Sequence, residues 1–123
     1  MSEQAIAELI EELSDVSDFQ DDELLHCRNC QRAITSETFR IRVYGAHEHR
    51  FSNPAAQVYD VCCFEWAPGA SICGQATDEH SWFTGYRWQF AHCEACEVHL
   101  GWYYEDGSDA FFGLIPDSLE NVE

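Results

Sequence analysis

The chain contains no lysine. Apart from histidine its basic residues are six arginines, set against 23 aspartates and glutamates, for a formal net charge of −17 at pH 7. A protein that tracks a phosphate backbone needs a basic stripe that this composition does not supply, and adhesion to anionic lipid fails for the same reason. Neither nucleic acid nor a membrane is an expected partner, and the acidity reads as a solubilising surface. No run approaches the roughly 20 consecutive apolar residues that cross a bilayer. The first residues lack the basic start and apolar stretch of a secretory leader. A cytoplasmic, reducing setting is therefore expected, in which cysteines bind metal or stay free. Common catalytic signatures are missing too: there is no G-x-S-x-G elbow, phosphate-cradling glycine loop or HExxH helix. The chain is expected not to be an enzyme, although Glu79 beside His80 keeps an acid–base pair open in principle.

What is present points to a folded domain. The 123 residues are 46% hydrophobic and 14% aromatic, enough for one domain with a modest core that a metal staple would help. Residues 1–24 stand apart, with nine acids and no base. Within them Ile6, Leu9, Ile10 and Leu13 recur at helical spacing, so this segment reads as a short acidic helix or a disordered tail, followed by an acidic linker. From Leu25 to residue 123 the pattern is β. In "TFRIRVYG", Phe39, Ile41 and Val43 alternate with Arg40, Arg42 and Tyr44, which predicts a strand. "AQVYDVCCFEW" aligns Tyr59, Val61 and Cys63. "YRWQFAHC" aligns Trp88, Phe90 and His92, and "HLGWYYE" aligns Leu100, Trp102 and Tyr104; "DAFFGLI" is a last short strand. "GAHEHRFSNPAA" and "APGASICGQATDEH" read as loops. The expected class is mainly β, with antiparallel sheets in a sandwich or barrel-like domain.

Seven cysteines carry the clearest chemistry. "LHCRNCQ" and "AHCEACE" share a His-Cys-x-x-Cys frame and should form two similar turns. Cys27, Cys30, Cys93 and Cys96 then make a tetrahedral Cys₄ site for one structural zinc ion per chain. Four thiolates leave no open position for catalysis. A thioredoxin-like dithiol lacks its βαβ context, and c-type haem attachment lacks the histidine after CxxC. His26 or His92 in place of one thiol remains an alternative ligand. Cys62, Cys63 and Cys73 read as small core residues, with a second metal site as the alternative. His47 and His49 read as solvated loop residues.

Four tryptophans are many for so short a chain. Trp66 reads as core. For the stretch "EHSWFTGYRW" the register is informative: a tight hairpin around Thr84-Gly85 would send Trp82 and Trp88 to opposite faces. Only a wider, bent loop with Gly85 at its corner lets the two indoles converge, with Trp102 and Tyr104 closing the space from a neighbouring strand. Three indole walls can hold a cation or stack on a flat neutral ring. The sequence leaves both open: a carboxylate, Glu79, lies nearby for a cation, and loop backbone can serve a neutral imide.

Taken together, the two distant CxxC pairs, the "NP" at Asn53-Pro54, the run H-S-W-F-x-G-Y-x-W and the later "LGWYY" resemble the thalidomide-binding (CULT) domain of the cereblon family. The resemblance covers about Leu25 to Ile115, and the chain is similar to short stand-alone bacterial members of the family, which lack the ubiquitin-ligase adaptor region. It implies two antiparallel sheets pinned by a structural zinc, a β-tent. It implies that Trp82, Trp88 and Trp102 form the cage walls and that Tyr104 lines the fourth side. His80 and the Trp82 backbone N–H would hydrogen-bond an imide, and Asn53 would sit at the rim. Animal members continue this Asn-Pro with histidine, where this chain has Ala55. The implied ligands are cyclic imides of the glutarimide and thalidomide type, and uracil- or uridine-like rings. A protein carrying a C-terminal cyclic imide is a further implied partner.

Overall fold

A computed structural model describes residues 23–121; the acidic helix expected within residues 1–24 lies almost wholly outside them. Among the described residues nine strands form two antiparallel sheets. They are β1 (Leu24–Cys27), β2 (Ala33–Ser36), β3 (Glu48–Ser52), β4 (Val58–Phe64), β5 (Ala70–Thr77), β6 (Arg87–Cys93), β7 (His99–Glu105), β8 (Ala110–Leu114) and β9 (Leu119–Glu120). The small sheet runs β2-β1-β9 and the large one β3-β4-β8-β7-β6-β5.

Strand alternation divides the apolar residues between the two faces of the large sheet. On one face Cys62, Phe64, Ala91, Leu100, Phe112 and Leu114 pack against Leu25, Ile34 and Leu119 of the small sheet. This is the core between the sheets. On the other face Val61, Cys63, Trp102, Tyr104 and Phe111 form a second cluster with Val43 and Phe83, which arrive from loops. The cavity described below is built on this second face.

Several sequence expectations are corrected. "TFRIRVYG" is not a strand. Glu37–Phe39 is a 3-10 turn capped by the Ser36 hydroxyl, and Arg40 and Val43 make only isolated bridges. The alternation is nonetheless real, because Ile41 and Val43 pack inward on the second cluster while Arg40, Arg42 and Tyr44 are exposed. The segment does not extend into a strand because most of that edge of β4 is taken by β3. β3 itself lies in the stretch read as a loop, as does β5. β3 has the alternation of a half-buried strand, with His49 and Phe51 turned in. Its signal is masked because His49 counts as polar, yet it stacks on Phe51 at 5.6 Å and its ring hydrogen-bonds to main-chain carbonyls. His47 likewise bonds the Ile41 carbonyl and packs edge-on against Phe64, so neither histidine is a solvated loop residue. β5 is an edge strand, half-exposed along its length and broken by a register shift, so it carries little hydrophobic periodicity. Trp66, expected in the core, is half-buried and packs edge-on against Phe39.

Leu100 does not share a face with Trp102 and Tyr104. The β6–β7 register slips between Ala91 and His92, so that Ala91 faces Gly101 while His92 faces His99. Gly101 has φ +153°, and a Cβ there would lie 2.2 Å from the Gly113 carbonyl oxygen. Only glycine fits such a bulge between closely packed strands. Its consequence is a change of parity: Leu100 enters the core between the sheets, and His99 turns to the cavity side against Trp102 at 4.9 Å.

Candidate functional site

The two CxxC frames fold into matching turns. Cys27 N–H donates to the Arg32 carbonyl at 2.7 Å and Gln31 N–H returns to the Cys27 carbonyl at 2.8 Å. The second frame repeats this with Cys93 to Val98 at 2.9 Å and Glu97 to Cys93 at 2.9 Å. Gln31 and Glu97 both adopt positive φ, +70° and +66°. One turn leaves β1 of the small sheet and the other joins β6 to β7 of the large sheet, so the four thiols meet where the sheets converge. All four sulfurs lie within 4.8 Å of one another, with Cys27–Cys96 at 3.6 Å and Cys30–Cys93 at 3.5 Å.

A tetrahedral ion with bonds of about 2.3 Å to sulfur sets sulfur–sulfur distances near 3.8 Å, so the quartet fits a zinc-sized ion. The Ala95 N–H approaches Cys93 Sγ at 3.4 Å, as a thiolate acceptor requires. Asn29 and the Val98 N–H lower the Cys96 thiol to about 6. The Arg32 N–H pulls Cys30 down, but desolvation and the three neighbouring thiols push it up to about 12. The quartet thus holds readily ionised and reluctantly ionised thiols side by side, a conflict that a divalent cation removes by stabilising every thiolate. Among the described residues neither His26 nor His92 joins the cluster, and no second cluster forms. Cys62 and Cys63 face opposite sides of β4, and burial raises their thiols to about 11 and about 12, which marks them as inert core residues. Cys73, on the edge strand, is only half-buried.

The aromatic stretch is a bent loop between β5 and β6. Two successive turns shape it, with Ser81 N–H to the Asp78 carbonyl at 3.2 Å and Tyr86 N–H to the Phe83 carbonyl at 3.0 Å. Gly85 sits at the corner with φ +95°, and His80 also takes positive φ, +57°. Phe83, fully buried, nails the loop to the second cluster. Trp82 and Trp88 therefore converge, as the wider loop requires.

A cavity of about 370 Å³ opens here, and Asn53, His80, Trp82, Trp88, Trp102 and Tyr104 all line it. Trp82 and Trp102 stand edge to face, with centroids 4.9 Å apart and planes at 75°. Both loop indoles have their N–H groups tied away: Trp82 Nε1 donates to the Ser52 carbonyl at 3.1 Å and Trp88 Nε1 to the Glu79 carbonyl at 2.8 Å. Trp82 is backed by Phe51, stacked at 5.0 Å and 10°. Tyr104 is almost wholly buried, and desolvation raises its phenol far above the usual range, so it stays neutral. At the rim Asn53 Oδ1 accepts from Ala55 N–H at 3.0 Å and Gln57 N–H at 2.9 Å, which closes the β3–β4 connection.

Sequence reasoning missed four lining residues: Pro54, Tyr59, Phe90 and His99. Tyr59 and Phe90 were legible, since they share strand faces with Val61 and Trp88. His99 was hidden by the bulge at Gly101. Burial lowers the His99 imidazole, which packs against Trp102, Phe90 and His92 and has Nε2 2.9 Å from the Gly101 carbonyl. Among the described residues neither Glu79 nor any other aspartate or glutamate lines the cavity.

No protein-family profile matches the chain. Gallus gallus cereblon is 32% identical over 103 residues, which is 77% of this chain and 23% of that protein. The cereblons of Xenopus tropicalis and Drosophila simulans are 27% and 28% identical over 100 and 112 residues. This is a cereblon-like, CULT-type domain. The chain spans about a fifth of the length of the curated relatives it matches. Within this cereblon-like domain the cysteine quartet joins the two sheets and the cavity lies on the outer face of the larger one. None of the described helices is long and apolar enough to cross a membrane.

Proposed function

We propose that this cereblon-like domain binds the ring of a cyclic imide, or of a uracil- or uridine-type base, between Trp82, Trp88 and Trp102. One zinc ion held by Cys27, Cys30, Cys93 and Cys96 pins the sheets that carry the walls. The observation that carries the reading is the orientation of the indoles. Tying Trp82 and Trp88 Nε1 to main-chain carbonyls fixes the rings, and with Phe51 covering one side of Trp82 the remaining π faces are left for stacking. In the bent loop, His80 and the Trp82 backbone N–H supply the polar edge that an imide needs, and Asn53 and Tyr104 bound the rim and the floor. The zinc has no share in the chemistry of the cavity; it shapes the fold.

A cationic methylammonium ligand is the competing occupant. Among the described residues no carboxylate lines the cavity, which favours a neutral ring. The domain acts as a binding module and not as an enzyme. Its partners are small cyclic imides or proteins ending in one, and the thiolate site suits the reducing cytoplasm. Titration of tryptophan fluorescence with uridine, glutarimide and tetramethylammonium tests this. Saturable quenching by the first two, lost in Trp82→Ala and Trp102→Ala, supports the reading. Preference for the ammonium, or turnover of a cyclic imide that vanishes in His80→Ala, overturns it.

A further inference from the structure

The aromatic loop is gripped from outside its own cavity. Val43 and Ala46 exchange main-chain hydrogen bonds of 2.9 Å and 3.2 Å around a two-residue turn made of Tyr44 and Gly45. Both have positive φ, +51° and +86°, the mark of a type I′ turn. Asn, Asp or Gly normally occupies the first of these positions, and a bulky tyrosine there is strained. Burial does not explain it, because Tyr44 is 62% exposed. Its hydroxyl donates to the Thr84 carbonyl at the tip of the loop, and its ring lies against Phe83 and Tyr86 at 6.0 Å and 6.3 Å.

The same turn supports the loop from the other side. A single His49 ring nitrogen, Nε2, lies 2.9 Å from the Val43 carbonyl and 3.1 Å from the Ala46 carbonyl. His49 stacks on Phe51, and Phe51 stacks on Trp82. One small turn therefore holds the loop tip through Tyr44 and backs a cage wall through His49 and Phe51.

We propose that Tyr44 is a positioning residue, whose phenol latches the tip of the loop so that Trp82 and its backbone N–H stay in the ligand-ready geometry. The strained backbone at Tyr44 is kept for this latch. The proposal rests on the ligand-binding reading of the cavity. Two variants test it: Tyr44→Phe removes only the hydroxyl, and Tyr44→Asn removes the latch while relieving the turn. Both should lose uridine affinity by roughly three- to tenfold, the worth of one net hydrogen bond. Tyr44→Asn should at the same time melt at the wild-type temperature or above it. A purely structural tyrosine would instead lower melting temperature and affinity together, and that result, or unchanged affinity in both variants, overturns the latch. Hydrogen exchange gives a readout without ligand. The Tyr86 N–H should exchange faster in both variants while β6 and β7 keep their protection, and unchanged exchange at Tyr86 refutes the latch. If the wild type binds neither uridine nor glutarimide, the reading of the cavity fails, and the exchange data alone decide the latch.

Discussion

Replacing Phe83 with alanine is the most demanding test of how the loop is anchored. Phe83 has no exposed surface. It meets five rings: His49 at 5.1 Å, Phe51 at 5.2 Å, Tyr104 at 4.8 Å and Phe111 at 5.0 Å, all edge to face, and Tyr44 at 6.0 Å. Burying a side chain of this size is worth about 1.5–3 kcal/mol in transfer alone. The ring sits between the loop and the large sheet, so its removal leaves a void that β7 and β8 cannot close. Transfer and void together put the cost of Phe83→Ala at about 3–5 kcal/mol. A domain of this size has a total stability of about 5–15 kcal/mol, so a large share of it would be lost. At about 4–8 °C per kcal/mol, the melting temperature should fall by more than about 12 °C. Urea denaturation followed by tryptophan fluorescence and by far-ultraviolet circular dichroism gives the number directly. Phe90→Ala is the control, since Phe90 is 41% exposed, and it should cost less than about 1 kcal/mol. A loss below about 1 kcal/mol for Phe83→Ala would refute the anchoring role, because a void in a packed core cannot cost so little.

Three further outcomes follow from the structure. Chelation, or Cys96→Ser, should separate the small sheet from the large one and cause cooperative unfolding, with about one zinc per chain in the wild type by elemental analysis; a metal-free chain that stays fully folded contradicts the staple. Acidification should weaken the fold through His99, whose imidazole is held below its ordinary range by burial. A lowered folded value means that the unfolded chain binds the extra proton first. This contribution is therefore complete above about pH 6.5 and is lost as pH falls below it, and the slope should flatten in His99→Gln. Gly101→Ala should fail to fold or unfold readily, since the new Cβ meets the Gly113 carbonyl oxygen at 2.2 Å; a melting temperature near that of the wild type would refute the bulge.

The parts legible in the sequence are those whose chemistry is local. Each CxxC turn is specified within six residues, so both frames and their likeness could be read directly. The convergence of Trp82 and Trp88 was legible through register, because strand parity forbids it in a tight hairpin and Gly85 permits the bend. What escaped was decided by partners distant in sequence. β3 looked like a loop because the burial of His49 depends on the Val43–Ala46 turn and on Phe83, neither of which its own strand reveals. The Phe39–Val43 alternation looked like a strand because alternation reports which side is buried, not whether a neighbouring edge is free. Leu100 was aligned with Trp102 and Tyr104 because a one-residue bulge at Gly101 reverses parity, which also hid His99, and glycine alone does not announce where a register will slip.

The central claim is that three indoles and a bent loop form a seat for a flat imide ring. A crystal structure of this chain soaked with glutarimide tests it most directly. The ring should lie between Trp82, Trp88 and Trp102, its polar edge toward His80 and the Trp82 N–H, with zinc on the four cysteines. A ring bound elsewhere, or an empty cage under saturating ligand with the fold intact, would contradict it.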